Sequence, residues 1–321
     1  MDCAEISVKG VTSRVPSAQI NGRTVVVTGK WLKVAAVKDE AWQEGDIAAM
    51  SEEFVTELKN HRELTADIFT FGQKPNDPTP RFPFLFQWES IAAIPIGSYA
   101  DWWANRVSSD LRKDVRRASK RGVVVRRVLF TDEFVTGIMS IYNETPVRQG
   151  RRFWHYGKGF DAVKMENATY LERSDFIGAF LGDDLIGFLK IVYVGPLACL
   201  MQILAKEAHR DSRPMNALIA KAVDVCDEKG CSHLTYGKYR YSQGGDGLTA
   251  FKRRNGFEEI LVPRYYLPLT AKGWLALRLN LHHGPKALLP NVVQRSLTHL
   301  RASFYRQRRG SERSDEGDIA A

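Results

Sequence analysis

The sequence has few cysteines, and their spacing argues against the usual cysteine chemistry. Its four cysteines, Cys3, Cys199, Cys226 and Cys231, form no C-x-x-C pair, and no two histidines stand at the spacing of zinc ligands. A zinc module and a disulfide-rich secreted domain are therefore disfavoured. We expect the protein to work in a reducing compartment and to need no metal.

Long apolar runs are also missing. Residues 1–5 lack the basic start and apolar stretch of a signal peptide. The longest apolar candidate, residues 185–205, contains Lys190 and a central Gly195-Pro196 pair and is rich in β-forming residues. This composition favours two strands joined by a turn, with a membrane span as the alternative. We expect a cytoplasmic protein.

Motifs of several common enzyme classes are absent. The chain has no G-x-x-x-x-G-K-[ST] loop, no G-x-G-x-x-G after a strand, no G-x-S-x-G elbow and no H-E-x-x-H. The glycines at 244–247 are more typical of a turn than of a phosphate cradle. These absences disfavour P-loop nucleotide hydrolysis, dinucleotide-dependent redox chemistry, serine hydrolysis and zinc-dependent proteolysis.

The composition that remains is that of a basic globular protein. The chain has 321 residues, of which 44% are hydrophobic and 26% charged, and its net charge is 46 − 37 = +9. This length favours two domains, or one domain with large appendages. The positive charge favours anionic partners such as nucleic acid, anionic lipid or phosphorylated small molecules.

Charge and periodicity divide the chain into four predicted regions. Residues 1–98 show mixed α/β character, and 99–122 form a helix with one basic face. Residues 123–271 alternate strands and helices, with a hairpin at 176–194. The tail, 272–321, has eight basic residues and no acidic residue between Lys272 and Arg309, interleaved with leucines. Its end has the composition of a disordered terminus.

The order of elements in the third region resembles the GNAT acyltransferase superfamily. Two local motifs look like the FemAB-like branch: K-x-x-R-R-A-x-K-R-G-V at 113–123, and G-L-T-A-F-K at 247–252 followed by Gly256-Phe257. That branch contains peptidoglycan-bridge aminoacyltransferases and N-acyltransferase relatives from envelope polysaccharide clusters. The resemblance covers about residues 100–269. It implies an α+β fold with a central mixed β-sheet flanked by helices, and residues 1–98 are a candidate for a second, tandem GNAT-like half.

The resemblance also implies where a donor binds. Ordinary GNAT enzymes bind the pyrophosphate of acetyl-CoA with a glycine-rich turn at a helix N-terminus. Here the turn at 210–216 has no glycine and contains Pro214, so that arginines supply the charge instead. The implied donor contacts are Gln202, Leu204, Arg210, Arg213, Met215, Asn216 and Phe251. The donor is acyl-CoA or aminoacyl-tRNA, and the lack of an evident tRNA-binding arm favours acyl-CoA.

Acyl transfer to an amine needs oxyanion stabilisation and proton transfer. By resemblance, Lys252 stabilises the oxyanion and Phe251 shapes the pocket. Tyr236 and Tyr239 follow a predicted strand and are candidates for proton transfer or acceptor contacts. The alternatives are a solvated lysine in a basic run and tyrosines half-buried in a loop.

The loop at 148–156 is predicted to cover the acceptor cleft, since it lies between a helix and the sheet. Its arginines suit a phosphate or a uronate. The candidate acceptor contacts are Tyr142, Arg148, Arg152, Trp154, His155, Lys238 and Tyr241. A packed, hydrogen-bonded His155 is the alternative to a base, and Glu144 is either a base or a surface carboxylate.

These observations predict an acyltransferase that moves an acyl group from acyl-CoA to an amine of an envelope glycan or peptidoglycan precursor. Its expected partners are an anionic precursor and, through the basic tail, the inner face of an anionic membrane. An aminoacyl-tRNA-dependent enzyme is the first alternative, although tRNA is not favoured. A non-catalytic module that binds anionic lipid or an assembly partner, and nucleic-acid binding by charge alone, stay open.

Overall fold

The computed structural model describes residues 2–8, 11–44, 52–61, 64–148, 150–240 and 246–283. The strands are β1 (Asp2–Val8), β2 (Val11–Ile20), β3 (Arg23–Thr28), β4 (Val34–Val37), β5 (Ile68–Gly72), β6 (Leu85–Pro95), β7 (Val123–Val128), β8 (Val147–Arg148), β9 (Arg151–Arg152), β10 (Ser174–Leu181), β11 (Asp184–Val194), β12 (Leu197–Ala205), β13 (His233–Lys238) and β14 (Glu258–Pro268). The helices are α1 (Glu52–Asn60), α2 (Tyr99–Asp101), α3 (Ser109–Lys120), α4 (Asp132–Tyr142), α5 (Phe160–Asn167), α6 (Pro214–Glu228), α7 (Asp246–Arg254) and α8 (Ala271–Arg278).

Twelve of the strands form one mixed sheet. Their order across the sheet is β1-β2-β3-β4-β5-β14-β6-β13-β12-β11-β10-β7, and β8 and β9 form a separate small hairpin. All neighbours in the large sheet are antiparallel except β4 with β5 and β12 with β13. The predicted α+β fold with a central mixed sheet is therefore confirmed.

The sheet repeats one arrangement on either side of its centre. The first half, β1 to β5, is an antiparallel meander that ends in a parallel fifth strand, and β7 with β10 to β13 repeats this arrangement in the second half. The strand that follows each fifth strand crosses to the other half: β6 pairs with β13, and β14 pairs with β5. Because β6 and β14 also pair with each other, each half is completed by a strand of the other. This arrangement gives the two tandem halves, whereas the predicted domain boundaries stay a prediction.

The apolar run at 185–205 forms two antiparallel strands, β11 and β12, as the sequence predicts. Gly195 in the connecting turn has a φ of +56°, a conformation that glycine adopts most readily. In the part of the chain that the structure describes, no helix has the length and apolar character to span a membrane.

The predicted continuous helix at 99–121 is wrong. The chain forms the short α2, a π-helical turn at Trp102–Arg106 and an extended Val107 before α3 begins. The hydroxyl oxygen of Ser108 accepts a hydrogen bond from the Leu111 amide (3.1 Å) and caps α3. The side chain of Trp102 is fully buried in the core of the second half, which fixes the bend.

Helices cover both faces of the second half. Leu189 of β11 packs in the core beneath α3 and α6, and its neighbour Phe188 packs beneath α4 on the opposite face. The first half has a separate core that includes Phe54 of α1 and Tyr265 of β14. The start of the tail is the ordered helix α8, which packs beside β14 in this first half. The rest of the predicted tail, from residue 284, lies outside the described residues.

Candidate functional site

Strands β12 and β13 pair with each other over only part of their length. Their parallel pairing joins 197–199 to 233–235, yet β12 continues to Ala205 and β13 to Lys238. The carbonyl oxygens of Tyr236 and Lys238 accept hydrogen bonds from the ammonium of Lys252 (2.7 and 2.6 Å). Beyond residues 199 and 235, β12 and β13 no longer pair with each other, and we name these ends, residues 200–205 and 236–238, the fork.

Lys252 lies on α7 at the fork with its side chain fully buried. Its ammonium is 4.4 Å from the centre of the Tyr236 ring, and burial lowers the pKa of Lys252 to about 8. The next two residues of α7, Arg253 and Arg254, are exposed. Lys252 is therefore not a solvated member of that basic run, whereas its role in stabilising an oxyanion stays a prediction.

The predicted tyrosines lie on the same side of the sheet as Lys252. The Tyr239 side chain is buried, its amide donates to the Ser90 carbonyl (2.9 Å), and its own carbonyl accepts from the Thr249 hydroxyl (3.3 Å). The Tyr236 ring is half-buried and packs 5.8 Å from Phe257. Tyr236 thus belongs to the fork, whereas Tyr239 directly follows the fork in the chain and is more deeply buried.

A chain of two amides joins the start of α6 to α7. The buried Asn216 donates to the side-chain oxygen of Asn255 (3.2 Å), and Asn255 donates to the carbonyl of Phe251 (2.8 Å). Asn255 is fully buried, and Met215 and Phe251 are half-buried against the same core. The predicted donor contacts Met215, Asn216 and Phe251 are therefore brought together with Lys252.

The predicted donor turn is a 3-10 helix at Glu207–Ser212 followed by Arg213. Arg213 has a φ of +55° and makes no side-chain cap on α6, and Pro214 is the first residue of that helix. The positive end of α6 thus has no side-chain acceptor from its N-cap residue. Arg213 Nε lies 3.1 Å from a carboxylate oxygen of Asp114, and the side chain of Arg210 is exposed.

Glu144 and Arg148 contact the chain itself at this turn and beside it, and the role of Arg148 as an acceptor contact stays a prediction. The carboxylate of Glu144 accepts from the amides of Glu207 (2.7 Å) and Ala208 (2.9 Å). The Arg148 guanidinium donates to the carbonyls of Ala205 (2.8 Å) and Ile141 (2.9 Å) and to Glu144 (3.2 Å). Burial lowers the pKa of Arg148. All these contacts are internal, so that Glu144 is a cap of the turn and not a free surface carboxylate.

A polar cluster lies on the opposite face from α6, where β12 leaves its pairing. The amide nitrogen of Gln202 donates to the Tyr142 hydroxyl (2.7 Å) and lies 3.3 Å from Nε2 of His155. The amide nitrogen of Asn167 also approaches the Tyr142 hydroxyl (3.3 Å). Burial raises the pKa of Tyr142 to about 12. Three predicted residues, Tyr142, His155 and Gln202, therefore meet at the fork.

His155 is enclosed by aromatic rings. Its ring centre is 3.5 Å from that of Trp154 and 4.1 Å from that of Tyr142, and Trp154 is half-exposed. Burial, followed by the charges of Lys158 and Arg148, lowers the pKa of His155 to about 3. The imidazole is therefore neutral at physiological pH, which favours a packing and hydrogen-bonding role over that of a base.

Lys190 is a residue of this region that the sequence analysis did not single out. Its fully buried ammonium donates to the carbonyls of Asn167 (2.8 Å) and Thr169 (2.5 Å) and to the Thr169 hydroxyl (3.1 Å). Burial lowers its pKa to about 8. Lys190 of β11 lies opposite Gln202 of β12 in the sheet. Its hydrogen bonds therefore connect the end of α5 and the segment after it to this part of the sheet. The available signal was a single lysine in an otherwise apolar strand.

The remaining predicted residues are less concentrated. Lys238 is exposed and its ammonium lies 2.8 Å from the Glu89 carboxylate, and Arg152 is exposed on the hairpin of β8 and β9. Leu204 is half-buried against the core beneath α4. Tyr241 lies outside the described residues. The roles of all these residues stay predictions.

Metal ligands are not grouped in the described part of the chain. Within those residues, no three His, Cys, Asp or Glu side chains are arranged to hold a metal ion. The four cysteines are free thiols, and Cys199, Cys226 and Cys231 are buried.

Comparison with known proteins shows the fold. The chain matches no protein-family model and no curated protein. Among solved structures it is similar to the C-terminal DUF2156 domain of a putative lysylphosphatidylglycerol synthetase from Agrobacterium fabrum (15% identity, 82% of this chain and 86% of that one, TM-score 0.53). It is also similar to FemX (11% identity, 80% of this chain and 86% of that one, TM-score 0.54). A third similar structure is L-PGS from Bacillus licheniformis (13% identity, 83% of this chain and 87% of that one, TM-score 0.54). The predicted GNAT/FemAB-like fold is thereby confirmed.

Proposed function

We propose that this protein is a GNAT-type transferase that moves an acyl group from acyl-CoA to an amine of an envelope glycan or peptidoglycan precursor. The observation that carries the proposal is the fork, where β12 and β13 stop pairing and the buried ammonium of Lys252 bonds to the carbonyls of Tyr236 and Lys238. A thioester carbonyl placed at the fork would face a fixed positive charge.

The donor side of the fork suits an anionic group. The N-terminus of α6 has no side-chain cap, and its dipole favours negative charge there. Arg210 is exposed beside it, and Arg213 lies at the helix start. Such a site fits a pyrophosphate, although Pro214 removes one of the amides that a glycine-rich turn would offer.

The proposed chemistry is acyl transfer by direct attack. The amine lone pair of the acceptor attacks the thioester carbonyl, Lys252 stabilises the oxyanion, and the thiolate leaves with a proton. Tyr236, which lies closer to the fork than Tyr239, is the better placed proton donor. One proton of the amine goes to solvent or to a base of the acceptor site.

The acceptor is proposed to bind on the opposite face, over Tyr142, Gln202 and His155. Trp154 offers a half-exposed ring at this cluster, and Arg152 is an exposed cation nearby in the same loop. These two residues suit a sugar ring with an attached phosphate or carboxylate. Such an anionic precursor is proposed to be met at the inner face of the cytoplasmic membrane, with the basic tail in contact with lipid.

Aminoacyl-tRNA is the second candidate donor. One of the similar structures has a name that refers to lysylphosphatidylglycerol synthetase, another is FemX, and the best-known FemAB-like enzymes take aminoacyl-tRNA. The exposed basic side chains of α3, which include Lys113, Arg116 and Arg117, offer a surface for a polyanion. A non-catalytic module that binds anionic lipid or an assembly partner is the remaining alternative.

The test is a calorimetric and thermal-shift titration of the full chain with acetyl-CoA and, in parallel, desulfo-CoA. We expect saturable binding in the micromolar range that is lost in Arg213→Ala and retained in Arg116→Ala, which removes an exposed arginine of α3. Absence of binding at millimolar acetyl-CoA would overturn the acyl-CoA proposal. Binding of charged tRNA in the same protein would then support the second candidate.

A further inference from the structure

Helix α8 buries two small residues and one leucine, and it leaves a tryptophan and another leucine half-exposed. Gly273, Ala276 and Leu277 are buried, and a Cβ atom at Gly273 would lie 1.8 Å from the carbonyl oxygen of Asp67. In contrast, the Trp274 and Leu275 side chains are each 51% exposed. A helix that only packs on its own domain turns its large apolar residues inward. The outward face of α8 is therefore built to contact something else.

The exposed apolar surface extends beyond α8. Leu279, which ends the helix, is 50% exposed, and Trp31 in the loop before β4 is 62% exposed. Lys272 joins these parts, because its ammonium donates to the Trp31 carbonyl and lies 5.2 Å from the centre of the Trp31 ring. We name Trp31, Trp274, Leu275 and Leu279 the α8 surface. Grouped exposure of this kind marks an interaction site, whereas scattered apolar residues do not.

The charged groups around the α8 surface are basic. The Arg278 guanidinium lies 5.1 Å from the centre of the Trp274 ring, Lys272 flanks Trp31, and Lys30 is exposed next to it. Asp67, the carboxylate that contacts Lys272, is buried and accepts from its ammonium (3.1 Å). Tryptophan and leucine side chains framed by lysine and arginine are typical of surfaces that lie at the interface of an anionic bilayer.

The sequence beyond the helix continues this charge. Residues 284–309 contain six lysines and arginines and no acidic residue. Basic side chains beside a membrane are attracted to its anionic headgroups. A protein partner would need an acidic apolar surface of matching shape, whereas a bilayer needs only the composition that is present.

We propose that the α8 surface docks onto an anionic phospholipid bilayer, with Trp31, Trp274, Leu275 and Leu279 in the headgroup region. The proposal places the membrane contact of the tail on its first, helical part and adds Trp31 of the first half to that contact. It gives the proposed acceptor site a fixed position relative to the membrane, and it rests on the proposed function only in that respect. Lipid binding is measured without any transfer reaction, so the two proposals fail separately.

The experiment is co-sedimentation of the full chain with vesicles of phosphatidylglycerol and phosphatidylcholine (1:1) and with vesicles of phosphatidylcholine alone. We expect binding to the first and little binding to the second. The variant Trp274→Ser/Leu275→Ser/Leu279→Ser should lower the partition coefficient about tenfold or more, because its inserted apolar area is lost. The control Val124→Ser/Leu129→Ser, which removes exposed apolar residues near the other end of the sheet, should bind as the wild type does.

Two measurements keep this test decisive. Because the substituted side chains are exposed, thermal melting should show that the variants fold, and sedimentation equilibrium without lipid shows whether the chain self-associates. Equal vesicle binding by the triple variant and the wild type would overturn the proposal. So would absence of binding to anionic vesicles, or a wild-type dimer that the triple variant abolishes, since the surface would then be a protein contact.

Discussion

The two halves share a strand order, but different groups lie where the parallel strand pair of each half stops pairing. In the first half, β4 and β5 pair at 34–36 with 68–70, and the chain after β4 folds back across the gap. The Glu40 carboxylate there accepts from the Gly72 amide (2.6 Å) and from Arg264 (3.0 Å). In the second half, the corresponding gap is bounded by the ammonium of Lys252.

The two gaps are therefore bounded by groups of opposite charge. In the first half the chain's own Glu40 carboxylate accepts from the Gly72 amide, so this backbone donor is satisfied from within. The second-half gap is lined by Gln202, Tyr236 and Lys252 and lies beside the start of α6. A carboxylate repels an oxyanion and an ammonium attracts it, so the proposed transfer is assigned to the second half.

Replacing the ammonium at the fork tests the comparison most severely. Lys252→Gln keeps hydrogen-bond donors for the two carbonyls but removes the charge, so we expect transfer to fall about 100-fold or more. The measurement is thiol release from acetyl-CoA in the presence of an amine-bearing envelope precursor. Lys221→Gln, on the exposed side of α6, is the control. Undiminished transfer by a folded Lys252→Gln protein would remove Lys252 from the mechanism.

Replacing the carboxylate that closes the first half should affect stability alone. Glu40→Gln leaves Arg264 with Glu89 as its remaining carboxylate partner, and we expect a loss of about 1–3 kcal/mol in the free energy of unfolding. Urea titration measures this loss, with the exposed Glu57→Gln as control. Donor affinity should not change, and a weakened donor affinity would place a binding site in the first half.

Loosening the predicted donor turn should weaken the binding of the donor without abolishing the transfer reaction. Glu144→Gln loses the charge that accepts from the Glu207 and Ala208 amides, and we expect a donor Kd about tenfold higher. Calorimetric titration measures it against Glu133→Gln, which changes an exposed carboxylate of the same helix, α4. A lower kcat at unchanged donor Kd would contradict this positioning role.

The buried imidazole near the fork predicts a pH effect on stability. His155 has a pKa of about 3 in the folded state against about 6.5 in the unfolded chain, so only the unfolded state binds a proton between these values. Stability should therefore fall as the pH drops below 6.5, by at most about 1.4 kcal/mol per pH unit. Urea unfolding at pH 7 and pH 5 should show this loss in the wild type and a smaller one in His155→Gln. Equal losses would mean that His155 is solvated or paired differently.

Local sequence patterns predicted the elements but not their exchange between halves. A short stretch of sequence is enough to show the apolar run of β11 and β12. The same holds for the helical spacing of apolar residues in α6, which has a proline at its start and a glycine after its end. Whether β14 pairs with β5 or with β13 depends on contacts about 190 residues apart in sequence, which no local pattern encodes. The break before α3 had a local signal, a serine in capping position at residue 108, within a longer apolar periodicity that masked it.

Sequence motifs predicted which residues belong to the candidate site, but they did not predict how these residues are arranged in space. Lys252 stands in a basic run that looks solvated, yet its helix face turns it inward to two carbonyls. Arg148 looks like an anion-binding residue, yet its guanidinium donates to two backbone carbonyls and to Glu144. In both cases residue type indicated charge, and only the tertiary packing decided whether that charge meets a ligand or the chain itself.

Hydrogen–deuterium exchange of the full chain, with and without saturating acetyl-CoA and separately with charged tRNA, tests the central claim most directly. One of these donors should protect the amides of β12, β13 and the start of α6, and neither should protect β4 and β5. Protection confined to β4 and β5, or no protection by either donor, would contradict the assignment of the transferase site to the second half.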